Sequence, residues 1–426
     1  MASISFVVQK TPAPPELILD YDSEISFNNT TEDFPSKEAS PDQTDPADAI
    51  QNGSILVGWV EYVAAGESED SFYNLKNIDL IGDDNFSIQA TNASTQVATD
   101  DIKVAKLIGY NKVAVAYVDN FNDGDFNSRW RLQVVNSANG APISGPITKT
   151  ISSPGAYDVP TTLVLPLSGG RIVWAYKDYG EISGTVFDIY DDTLSSLYTY
   201  RIIDDTDACG LKGAVLTGGD FVIVNTTQTG DSGIGTGVEI NIYDGSDGSG
   251  VFNTNEAYNP LETGLSVVAT DDGGFVVCIA GLVGIAGEGQ ENKDLPGRIR
   301  LRKYDSTGDY ETQVVLDFPE TDPGGGAAWG SICNCQMFKL DSGDLAVVGF
   351  NYGTKKLFSY VINQSLTTVQ QSLTLLNKTI SEITDLSYTN TSVAKFSDGK
   401  YGLVKKRPGA SGIRVYVDVL VGGAST

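Results

Sequence analysis

The chain has 426 residues, 55 of them acidic and 28 basic, for a formal charge of −27 at neutral pH. That excess excludes nucleic-acid phosphates and anionic membranes as main partners. The complete lack of histidine removes Ser-His-Asp and Cys-His nucleophiles and His-ligated zinc.

In chain order, "SISFVVQK" (3–10) reads as one good strand. The opening "MASISFVVQKTPAPPELI" has neither the basic nor the long apolar stretch of a secretory signal. No later apolar run reaches the roughly 18 residues that span a bilayer. Residues 11–45 are rich in Pro, Asp, Ser and Glu and cannot build a core. They are expected to form an acidic arm that docks on a partner.

From residue 46 a repeat takes over. "QNGSILVGWV", "IGYNKVAVAY", "LSGGRIVWAY", "LTGGDFVIVN", "TDDGGFVVCI", "LDSGDLAVVGF" and "FSDGKYGLVKK" each join a Gly, Asn, Asp or Ser turn to a short apolar run. This is the pattern of a tight hairpin. The first apolar residues after the turns are Ile55, Val113, Ile172, Phe221, Phe275, Leu345 and Tyr401, in steps of 49 to 70 residues. Between them recur a polar loop, a third strand, a second turn ("NSANG", "DDT", "DGSDG", "DSTG") and a fourth strand. Even "TTVQQSLTLLNKTI", the nearest approach to a helix, alternates as a strand does.

Seven units of four strands define an all-β fold, a seven-bladed β-propeller, over residues 46–426. The last unit has only three strands of its own, so residues 1–10 are expected to close the ring as its outer strand. Without that strand the last blade would leave an open edge.

Repetition disposes of one chemical reading. A lone glycine-rich turn before a strand would invite a phosphate loop, but the same turn recurs in every unit and no helix or Lys-Ser/Thr follows. Calcium has better candidates. Asp119, Asn122, Asp123 and Asp125 cluster in "DNFNDGDF", and Asp244 and Asp247 in "DGSDGSG". Hard cations take such oxygen donors, although Phe121 stands where an EF-hand loop has its third ligand. Tyr62, Tyr73 and Tyr179 lie in polar loop stretches and offer amphipathic rings to a sugar or a protein. Glycoside cleavage needs a carboxylate pair that sequence cannot place among 55 acids. Cys209, Cys278, Cys333 and Cys335 match no zinc pattern and read as buried thiols.

The turn-and-strand unit "LSGGRIVWAY" and its siblings resemble the repeats of bacterial and phage β-propellers that serve as surface, adhesion or tail components. The resemblance implies a non-enzymatic structural or binding protein, in a virion or outside the cell, that engages other proteins of an assembly or host glycans; no cofactor is certain, and calcium is a candidate from the acidic loops alone. The alternatives are a secreted, lectin-like propeller and a polysaccharide-active enzyme.

Overall fold

The computed structural model describes residues 17–24, 55–65, 68–78, 84–92, 102–121, 127–151, 162–178, 184–201, 207–228, 235–256, 265–281, 298–317, 333–351, 356–379, 392–397, 400–409 and 412–422. The first strand is β1 (Leu17–Glu24). A three-stranded sheet follows, β2 (Ile55–Ala65), β3 (Ser68–Ile78) and β4 (Asp84–Asn92). The second sheet is β5 (Ile102–Lys106), β6 (Lys112–Phe121), β7 (Asn127–Asn136) and β8 (Pro142–Ile151). The third is β9 (Thr162–Pro166), β10 (Ile172–Asp178), β11 (Gly184–Tyr190) and β12 (Ser196–Arg201). The fourth is β13 (Asp207–Val215), β14 (Phe221–Gln228), β15 (Gly235–Tyr243) and β16 (Gly250–Glu256). The fifth is β17 (Leu265–Ala269), β18 (Phe275–Gly281), β19 (Arg298–Tyr304) and β20 (Tyr310–Asp317). The sixth is β21 (Cys333–Lys339), β22 (Leu345–Asn351), β23 (Lys356–Ile362) and β24 (Val369–Thr379). The seventh holds β25 (Ser392–Ser397), β26 (Lys400–Gly409) and β27 (Gly412–Gly422), with β1 as its fourth strand.

Every pairing is antiparallel between chain neighbours except β1 on β27. The only helical element among the described residues is a 3-10 turn at Ser168–Gly170. No helix among them is long and apolar enough to cross a membrane.

Six of the seven apolar runs that mark the repeat lie at the start of the second strand of their sheet, and in the three-stranded first sheet Ile55 opens β2, its first described strand. In the second to sixth sheets those strands are apolar on both faces because each of these sheets is covered on both faces. In β10, Ile172 and Trp174 pack toward the second sheet, whereas Val173 and Ala175 pack toward the fourth. Side chains of successive sheets likewise share clusters from the first sheet to the seventh. Fully burying one such large apolar side chain contributes about 1.5–3 kcal/mol, so the stacking of sheets, rather than any one sheet, holds the fold.

The strand beside β27 is Leu17–Glu24, with Leu17 opposite Gly422 and Glu24 opposite Tyr416. The sequence reading had given this place to residues 1–10 and assigned residues 11–45 to a strandless arm. "LILDYDSE" alternates well enough to pair, but its prolines and acidic neighbours disguise it. The remaining residues of both segments lie outside the described ones.

One device shapes the turns between first and second strands. Leu167 N–H donates to Arg171 O, Leu216 N–H to Asp220 O, Thr270 N–H to Gly274 O and Leu340 N–H to Asp344 O. Gly169, Gly219, Gly273 and Gly343 supply the left-handed backbone at φ of 74°, 97°, 95° and 87°. Gly274 answers a different need. A Cβ there would stand 2.2 Å from the Tyr304 carbonyl oxygen, where the end of β19 crosses the turn. Gly274→Ala is therefore expected to cost roughly 1–3 kcal/mol, the usual range for overpacking. Urea unfolding checks it, and an unchanged midpoint would show that the crossing is looser than described.

Candidate functional site

The first strands of successive sheets lie side by side, β5 against β9, β9 against β13, β13 against β17, β17 against β21 and β21 against β25. They enclose a cavity of about 320 Å³ lined from all six of these strands, including Lys106, Lys212, Gly213, Ser266, Gln336 and Met337. Lys212 is only 7% exposed. A register shift between Cys209 and Lys212 sets its place in β13. Next to it, Gly213 lets β13 close on its neighbour, since a Cβ there would meet Leu163 Cδ2 at 2.8 Å and the Val222 carbonyl oxygen at 2.9 Å. Ser266 and Met337 clasp β17 to β21, with Met337 N–H donating to Ser266 Oγ at 3.1 Å. No Asp or Glu belongs to the described wall of this cavity.

Strand alternation gives each sheet two unlike ends. The short turns between first and second and between third and fourth strands share one end. The links between second and third strands, and those to the next sheet, leave from the other. Three of the residues singled out for binding lie on described strands. Asp119 is in β6 opposite Arg129, Tyr62 in β2 opposite Ser71, and Tyr73 in β3 opposite Val60. Asn122, Asp123, Asp125 and Tyr179 lie outside the described residues.

The second calcium candidate resolves differently. Asp244 Oδ1 accepts from Ser246 N–H at 2.6 Å and Asp247 Oδ1 from Ser249 N–H at 2.9 Å, inside the turn between β15 and β16. Asp191 and Asp305 hold equivalent turns through Ser195 and Thr307. Hydrogen bonding to Ser246 holds the Asp244 carboxyl below the usual range, and Thr307 does the same for Asp305. These carboxylates are turn locks, and among the described residues no three acidic or sulfur groups gather to hold a metal.

Three polar clusters sit between sheets, where the repeat predicts only apolar packing. Asp188 is fully buried on β11; its Oδ2 accepts from Lys149 Nζ at 2.7 Å, Tyr190 Oη at 2.8 Å and Tyr176 Oη at 3.3 Å. Glu239 on β15 accepts from Asn253 Nδ2 at 2.9 Å and Asn225 Nδ2 at 3.3 Å. Cys278 and Cys335 are buried thiols on adjoining sheets, with sulfurs 3.2 Å apart. Sequence reasoning had taken the cysteines as buried but missed the other two clusters. The signal was present in "TVFDIY" and "GVEINIY", where one acid interrupts an otherwise apolar strand.

Burial, with the nearby Asp188 charge and its hydrogen bond, raises the Tyr190 phenol above its ordinary 10.0. Burial and then Glu239 raise Tyr243 in the same way. A phenol whose folded pKa lies above its unfolded value leaves stability level below pH 10 and erodes it as pH climbs past 10. Alkaline unfolding followed by circular dichroism should thus begin above pH 10 and move to higher pH in Tyr243→Phe. An unmoved midpoint would assign the transition to other groups.

No protein-family model and no curated protein sequence matches this chain. Solved structures do. An ulvan lyase of a polysaccharide lyase family is similar over 91% of this chain and 95% of its own, at 11% identity and a TM-score of 0.49. An α-L-arabinofuranosidase from Fusarium graminearum is similar over 78% of this chain and 96% of its own, at 10% identity and a TM-score of 0.45. The NanB sialidase of Streptococcus pneumoniae is similar over 92% of this chain and 70% of its own, at 11% identity and a TM-score of 0.44. The class of protein defined by the fold is an all-β, propeller-like assembly of four-stranded antiparallel sheets.

These similarities correct the expectation of a non-enzymatic virion, tail or adhesion component. The solved structures named here are a glycan lyase and two glycosidases, and the non-enzyme reading is set aside. The physical reason is that a turn-and-strand repeat specifies an architecture open to many activities. Lack of histidine excludes triads, yet glycoside cleavage runs on carboxylates.

Proposed function

We propose that this chain is a seven-bladed β-propeller, closed by β1 on β27, and that it is a polysaccharide-active enzyme whose site is the axial cavity. The observation that carries this reading is the cavity itself. Six first strands converge on about 320 Å³ of space with lysine, serine and glutamine in its wall. That volume is at the lower end of small-molecule sites, about 300–1,000 Å³, and suits one or two sugar units. Around the ring, β2 touches both β5 and β25, which supports closure. Tyr62, Tyr73 and Tyr179 are proposed as sugar-stacking residues. Asp119, Asn122, Asp123 and Asp125 are proposed as ligands for calcium.

The test is product formation. The purified chain is incubated with arabinan, sialylated glycans and uronate-containing or sulfated polysaccharides, with and without a calcium chelator. New reducing ends, or the ultraviolet absorbance of an unsaturated uronate, are expected from at least one class. Binding without any product would overturn the catalytic part of the reading, and neither binding nor product would overturn all of it.

A further inference from the structure

We infer that Cys278 and Cys335 are a disulfide site, a covalent seam between the fifth and sixth sheets that closes when the chain folds in the presence of a low-molecular-weight disulfide. The inference is independent of the glycan reading. The two residues stand 57 positions apart in sequence, and their sulfurs lie 3.2 Å from each other. An S–S bond is about 2.05 Å long, so the sulfurs must approach by roughly 1.2 Å, within the reach of side-chain rotation.

Strand register brings the pair together. Cys278 lies on β18, opposite Ser266 on β17 and Leu301 on β19. Cys335 lies on β21, which runs against both β17 and β18. Met337, two residues beyond Cys335, donates its N–H to Ser266 Oγ, and this bond holds β21 in place against the fifth sheet. Val276, Ile299, Leu345 and Val347 belong to the same apolar cluster, in which both cysteines are fully buried. Two thiolates fall short of the four ligands of a structural zinc site. Among the described residues no group of three or more Cys, Asp or Glu gathers to supply the rest.

The chemistry is two successive thiol–disulfide exchanges. One cysteine gives its proton to solvent, and its thiolate attacks the small disulfide. A mixed disulfide forms and one small thiolate leaves. The thiolate of the second cysteine then attacks the protein sulfur of the mixed disulfide, forms the Cys278–Cys335 bond and expels the other small thiolate. The two protein thiols are oxidised, the small disulfide is reduced, and its two thiolates take up protons from solvent. Burial sets the timing. In the folded chain the hydrogen bond with Cys278, and then burial, hold the Cys335 thiol well above its ordinary pKa. The thiolate is the nucleophile, so the exchange belongs to the folding chain, before the sheets pack. The finished bond is closed to reductants by the same packing. Cross-linking residues this far apart in sequence also removes loop entropy from the unfolded chain.

Refolding of the full chain from denaturant, in mixed reduced and oxidised glutathione or in reduced glutathione alone, tests this. Non-reducing peptide mapping of the first sample should return a linked Cys278–Cys335 peptide, and its urea midpoint should lie above that of the second. The same mixture added to chain already folded and reduced should form the bond at least about tenfold more slowly. In the double variant Cys278→Ala, Cys335→Ala the difference between the two midpoints should vanish. Recovery of both cysteines as thiols, or linkage to Cys209 or Cys333 instead, overturns the inference in the unaltered chain, whether or not the variant folds. A linked peptide whose sample unfolds at a lower midpoint also overturns it, because the packed sheets would then oppose the bond.

Discussion

Trp174→Ala is expected to lower the stability of the chain by about 3–5 kcal/mol, read as a fall in the urea midpoint at unchanged slope. Trp174 is fully buried on β10, among Ala105, Ala114, Ala116, Trp130 and Leu132 of the second sheet. Its ring lies 4.8 Å from that of Tyr176 and 6.2 Å from that of Tyr190. The indole N–H donates to Thr162 Oγ1 at 3.0 Å, which in turn donates to the Ala175 carbonyl at 2.9 Å. Removing the indole empties the space between two sheets and takes a donor from a buried hydroxyl. The small alanines opposite cannot fill the gap. Trp174→Phe keeps much of the volume and should cost clearly less. A loss below about 1 kcal/mol in the alanine variant would mean that the two sheets collapse onto each other, contrary to close packing.

Lys149→Met is the second large effect. Asp188 is fully buried, and its Oδ1 has no hydrogen-bond partner, so the charge rests on Oδ2 and its three donors. Breaking a buried ion pair from one side costs about 3–5 kcal/mol because the other charge is left behind. Lys149 is 34% exposed, and water screens the pair in part. A loss of about 2–3 kcal/mol is therefore expected, within the range for breaking a buried polar network. Adding Asp188→Asn should recover much of it, since no charge then remains between the sheets. If the double variant is as unstable as the sum of the singles, Asp188 and Lys149 are not coupled.

Much of this architecture was legible in the residues. A tight turn followed by an apolar run depends on neighbours in sequence, and glycine at positive φ is a local requirement, so the marked strands, from β2 at Ile55 to β26 at Tyr401, fell where the repeat put them. The pairing of β1 was not legible at residue level. Both "SISFVVQK" and "LILDYDSE" can be strands, and only the register against β27 chooses between them. The polar clusters were hidden for a related reason. Asp188 meets Lys149, 39 positions earlier in the chain, only after two sheets stack. Asp244 and Asp247 looked like cation ligands because turn locks and calcium loops use the same residue types; their partners in the turn decide between the two.

By itself the sequence determined the repeat, the all-β class, the turn chemistry and the exclusion of histidine-dependent sites, all properties of composition and short-range pattern. Tertiary structure alone decided which strand completes the seventh sheet, which acids meet a lysine between sheets, and that Lys106 and Lys212 share one axial cavity. Those two lysines are more than a hundred residues apart and carry no common motif. They share a cavity because sheets that cannot bury their faces alone must stack, and stacking brings their first strands together around an axis.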